Sequence, residues 1–135
     1  MKTLTDLHDA ELYALRHEAD GKTVECVFRT SEGEDAVLLL NGVTRFRCTD
    51  FGLQNVALEL VSTVSQEVGL DDLRSYIAWL SSTADGEQLV DANEIDAIVQ
   101  SVATGKLHCV FLIPSWGAQL GATAANVQLL GVRQA

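Results

Sequence analysis

Bases are scarce in this sequence. Nine lysines and arginines stand against nineteen acids in 135 residues, a formal charge of −10. Phosphate backbones and anionic lipids should be repelled and a basic protein attracted, so no nucleic-acid partner is expected. Cysteines are few as well. Cys26, Cys48 and Cys109 are odd in number and stand singly in apolar surroundings, which suits reduced core thiols rather than a disulfide framework. No stretch approaches the roughly 20 apolar residues of a membrane-spanning helix. The opening MKTLTDLHDAEL meets Asp6 and Asp9 before an apolar run can form, unlike a signal peptide. Together these features predict a cytoplasmic protein without membrane contact.

The motifs of several chemistries are also missing. No H-E-x-x-H or C-x-x-C spacing offers a metal site, and no Gly-Lys-Ser/Thr or G-x-G-x-x-G loop offers a phosphate cradle. Neither a metal nor a cofactor is expected, and no residue is assigned a catalytic role. Ser115, in LIPSWGAQLG, fails as a nucleophile elbow because Ile113 occupies the first glycine position and strand-like sequence flanks it on both sides. A β-turn with Pro114 at its second position fits better, with Trp116 folded over the sheet edge and Gly117 keeping the return strand close. Acid pairs such as Glu32 with Glu34, or Asp71 with Asp72, read as solvated faces and helix starts.

What is present reads as one domain spanning residues 1–135, 47% hydrophobic and 21% charged, near the globular average. ELYALRHEADGKTVECVFRT predicts a hairpin turning at Asp20-Gly21 through a type I′ turn. Pairing Ala19 with Lys22 sets Tyr13 opposite Phe28, Leu15 opposite Cys26 and His17 opposite Val24 on an apolar face. DAVLLLNGVTRFRC is a third strand in which Asn41-Gly42 makes either a bulge or a further turn. QNVALELVSTV fits both a strand and a helical stripe, and its β-branched residues favour strand.

LDDLRSYIAWLSS carries Leu70, Leu73, Tyr76, Ile77 and Leu80 on one helical face. A second helix follows, with Asp91 as cap, Glu94 three residues later, a stripe of Ile95, Ile98, Val99 and Val102, and Gly105 at its end. KLHCVFLI is a strand buried on both faces, and His108 reads as a core histidine bonded to backbone. The expected fold class is α+β: an antiparallel β-sheet, formed by the N-terminal hairpin and further strands, with both amphipathic helices packed on one face.

Two places could carry function. His8-Asp9 could ligate a metal or share a proton, which would make the chain a small ligand-binding or metal-dependent enzyme domain, although turn and capping bonds are the commoner use of such a stretch. The acidic stretch offers more. Asp71, Asp72, Asp85, Glu87, Asp91, Glu94 and Asp96 fall at or between the starts of the two helices, so the buried stripes push most of them outward together. Tyr76 and Trp79 share a helix flank with Asp72, and aromatics among charges are the composition of interaction hot spots. These nine residues form the candidate partner-binding surface. A structural or oligomerising module is the third possibility.

LHDAEL, DFGLQNV, YIAWL and PSWGAQL together resemble small acidic bacterial proteins, some of which are similar to the immunity proteins of contact-dependent and polymorphic toxin systems. The resemblance implies a protein that acts by binding and has no catalytic residues, covering the active site of a cognate toxin domain. A nuclease toxin would present a basic cleft, in which acidic side chains can stand in for phosphates.

Overall fold

The computed structural model describes residues 7–64, 67–82 and 90–132. Among the described residues six strands run in the order β1 (Glu11–His17), β2 (Thr23–Arg29), β3 (Asp35–Thr49), β4 (Val56–Ser62), β5 (His108–Trp116) and β6 (Gln119–Val132), with α1 (Leu70–Leu80) and α2 (Ala92–Ala103) between β4 and β5. The strands close into an antiparallel barrel, β1-β2-β3-β6-β5-β4. This corrects the α+β expectation of a sheet with helices on one face.

Closure rests on features that alternation does not display. The long strands β3 and β6 pair from Asp35↔Val132 to Thr49↔Gln119, whereas β2 accompanies β3 only as far as Thr23↔Asn41. Gly42 is left-handed, with φ 65°, and the register slips between Val43 and Arg45; such a bulge bends and twists a strand. The seam is short: Glu11 pairs with Val56, Asp9 N donates to Ala57 O at 2.8 Å, and Leu12 N donates to Asn55 O at 2.8 Å. Residues flanking the strands thus do much of the closing.

The first hairpin has the expected register at His17↔Val24 and Leu15↔Cys26, but a bulge between Leu12 and Ala14 sets Leu12, not Tyr13, opposite Phe28. Leu12 is buried and Tyr13 exposed, with the Tyr13 hydroxyl donating to Asp35 Oδ2 at 3.0 Å. The turn differs too. Gly21 N donates to Glu18 O at 3.0 Å, so Ala19 and Asp20 are the central pair and Gly21 alone is left-handed, with φ 75°. A type I turn followed by a left-handed glycine replaces the type I′ turn.

Residues 56–62 form a strand, and Asn41-Gly42 bends β3 without ending it. Pro114 does not begin a turn. It lies inside β5 opposite Ala57, where β4 shifts register on both sides, the irregular setting that tolerates a residue with no N–H to give the ladder. The chain reverses instead at Gly117, with φ 80°, and Trp116 is 68% exposed rather than folded over an edge.

Two apolar clusters follow from this topology. Leu12, Val24, Cys26, Phe28, Leu38, Leu40, Val110, Leu112 and Leu120 are among those filling the barrel. On its outer wall Val61, Cys109 and Phe111 meet Leu73, Ile77 and Leu80 of α1 and Ile95, Ile98 and Val99 of α2. Strand β5 therefore buries alternate residues in different cores, which explains its unbroken apolar run.

Candidate functional site

The helices carry the acids that the sequence singles out. Asp71 and Asp72 lie in the first turn of α1, where carboxylates complement the positive end of the helix dipole. Asp91 caps α2, its Oδ1 accepting from Glu94 N at 2.9 Å. Asp71, Asp72, Asp91, Glu94 and Asp96 are exposed. Arg74 and Asp96 form an ion pair between the helices. Asp85 and Glu87 lie outside the described residues.

Tyr76 and Trp79 are half-buried, and both are engaged in packing. The Tyr76 ring stacks on Phe111, with centroids 4.6 Å apart. Burial, with the charges of Asp72 and Glu59, pushes its hydroxyl pKa up, so it remains a neutral donor. Arg47 lies 4.5 Å over the Trp79 ring and also donates to the Trp79 carbonyl. A cation from β3 thus serves the last turn of α1, which has no basic residue of its own. Gly121 leaves room beneath, since a Cβ there would meet Phe111 and Trp79 within about 3 Å. The two aromatics lie beside the acids but hold the helix to the barrel as well.

His8 and Asp9 are turned to structural use. His8 Nδ1 bonds to Leu58 O, and Nε2 lies 3.7 Å from Asp9 Oδ2, both side chains being exposed. Asp9 is left-handed, with φ 63°, which starts the seam to β4. Among the described residues no three His, Cys, Asp or Glu side chains group to hold a metal. Ser115 is exposed, its hydroxyl donating to Val56 O at 3.3 Å. His108 departs from the expected backbone bond: its Nδ1 is buried without a hydrogen-bond partner.

Three features escape sequence reasoning. Asn55, 2% exposed, gathers DFGLQNV, LHDAEL and PSWGAQL to one barrel end, because its amide bonds Leu12 O at 3.1 Å, Gly52 O at 3.0 Å, Gly52 N at 2.9 Å and Ala118 N at 3.1 Å. Around this hub Phe51, Leu53 and Trp116 are exposed, Leu53 completely. At the opposite ends of β1 and β2, Leu15, Val24, Val43 and Phe46 line a cavity of about 270 Å³ whose rim includes Arg16, His17 and Arg45. Its only signal in the sequence is the alternation of Arg45, Phe46 and Arg47, unreadable without the Thr44 bulge. Comparison with protein-family models, curated proteins and solved structures gives no match.

Proposed function

We propose that this protein is a cytoplasmic, protein-binding inhibitor of the immunity type that neutralises a basic partner by covering its active-site cleft. The observation that carries the reading is the charge of the helical layer. Five described acids are exposed on α1, α2 and the α2 cap, and the one base among them, Arg74, is paired with Asp96. A surface of one sign speeds encounter with a complementary cleft and disfavours partners of like charge. Three unpaired thiols accord with a reducing compartment, and no helix among the described residues is long and apolar enough to cross a membrane.

A second contact region is favoured by Leu53, Trp116 and Phe51, large apolar side chains exposed at one barrel end beside the rigid Asn55 hub. Such clusters mark interaction surfaces more often than solvent-facing ones. Against catalysis by His8-Asp9 stands the use of both residues in closing the seam.

Capture from the native cells at low salt, followed by identification of the bound protein, tests the proposal. The expected capture is a basic protein whose activity disappears when one equivalent of this chain is added. A captured partner that is acidic, or that stays fully active in the complex, would contradict it.

A further inference from the structure

The cavity between β1, β2 and β3 has a composition unlike the rest of the molecule. Leu15 and Val43 pack against the barrel core and Val24 is buried, so the floor is apolar. Phe46 lies at the edge, 37% exposed, on the same face as its cross-strand partner Ala122, which belongs to the barrel core. Arg16, His17 and Arg45 border this floor, and among the described residues no acid lines it. In a chain of charge −10, an apolar hollow bordered by two arginines is a local inversion of sign.

The topology accounts for the hollow. Strand β2 leaves β3 at Thr23↔Asn41, and β3 continues along β6 to Thr49. Gly42 and the bulge at Thr44 then redirect β3, with Thr44 Oγ1 fixed 2.7 Å from Thr123 Oγ1. Beyond the bond from Val43 N to Lys22 O at 2.9 Å, no strand among the described residues pairs with residues 44–46 on the β2 side. The hollow opens to solvent at the barrel end, and barrel mouths are recurrent ligand sites.

We propose that this mouth binds a compact organic monoanion with an apolar body, such as a medium-chain or aromatic carboxylate. The apolar part occupies the floor and the carboxylate meets Arg45 and Arg16, whose planar donors suit carboxylate geometry. Arg16 is shared with Glu18, 3.4 Å away, whereas Arg45 has no ion-pair partner among the described residues, so Arg45 is the principal anchor. The volume lies just under the about 300–1,000 Å³ usual for ligand pockets, which restricts the ligand to a small one. This site is separate from the acidic helical layer and does not depend on the proposed inhibition.

Octanoate and benzoate, titrated into the full chain by calorimetry and amide NMR, test the site against octylammonium, octanol and inorganic phosphate. Both carboxylates should bind, with shifts concentrated at residues 15–24 and 43–46. Octylammonium, octanol and phosphate should bind at least tenfold more weakly. Arg45→Gln should weaken octanoate at least fivefold with thermal unfolding unchanged, and Val43→Phe should abolish binding by filling the floor. Should Val43→Phe fail to fold, Arg45→Gln still decides. Failure of both carboxylates to bind at millimolar concentration, equal binding of octylammonium, or native affinity in Arg45→Gln would overturn the proposal.

Discussion

Asn55 joins the two sides of the barrel seam: from the residue before β4 its Nδ2 donates to the carbonyl of Leu12 in β1 at 3.1 Å. The same buried amide holds both polar groups of Gly52 and the N–H of Ala118. Asn55→Ala removes four bonds at once, those to Leu12 O and Ala118 N in buried surroundings and those to Gly52 in partly exposed ones. Unsatisfied buried groups cost about 1–3 kcal/mol each before relaxation, so a loss of about 3 kcal/mol or more is expected in urea unfolding. A loss below about 0.5 kcal/mol would mean that the hub does not secure the seam.

Gly117 and Gly21 are both left-handed, at φ 80° and 75°, but their surroundings differ. A Cβ at Gly117 would collide with the Gln54 carbonyl and with Asn55, whereas one at Gly21 would meet nothing within 4 Å. Gly21→Ala should cost about 1 kcal/mol, the conformational term alone, and Gly117→Ala at least twice that. Ser115→Ala, losing one exposed 3.3 Å bond, should change stability by less than about 0.5 kcal/mol. Thermal unfolding of the three variants checks the ranking.

Burial pushes the thiols of Cys26 and Cys109 up to about 12 from a reference of 9.0. In the native state both retain their protons where the unfolded chain gives them up. Their contribution to stability is therefore complete below about pH 9 and is lost as pH rises toward 12. Unfolding free energy should fall across that window, and Cys26→Ala should flatten the fall even though the cavity lowers stability at every pH. Labelling at pH 8 should reach Cys48, the half-buried thiol, ahead of the other two. Fast modification of Cys26 in the folded protein would contradict its placement inside the barrel.

Local elements were legible in the sequence because their signals are local. The stripe from Leu73 to Leu80, the Asp91 cap and the apolar run from Cys109 to Leu112 each satisfy a periodicity or capping rule within about ten residues. Closure was not legible. It depends on bulges at Tyr13 and Thr44, on the unequal reach of β2 and β3 along a shared partner, and on Asn55 bonding 43 residues back in the chain. Pro114 misleads for a related reason: the turn rule is sound, but the register shift around Ala57 makes a strand position that accepts proline. The outward acids of the helices follow from the buried stripes. The basic mouth does not, since Arg16 and Arg45 become neighbours only through the barrel.

The central claim is that a basic partner docks on the acidic helical layer, and association kinetics test it most directly. With the captured partner immobilised, Asp72→Lys and Glu94→Lys should each slow association several-fold at low salt and lessen its salt dependence, with thermal stability nearly unchanged. Trp79→Ala should mainly speed dissociation, by about 2 kcal/mol if the ring is a hot spot. Its stability must be read alongside, because the ring also holds Arg47. Association rates equal to wild type for both reversals, at low and high salt alike, would contradict the account and move the interface away from α1 and α2.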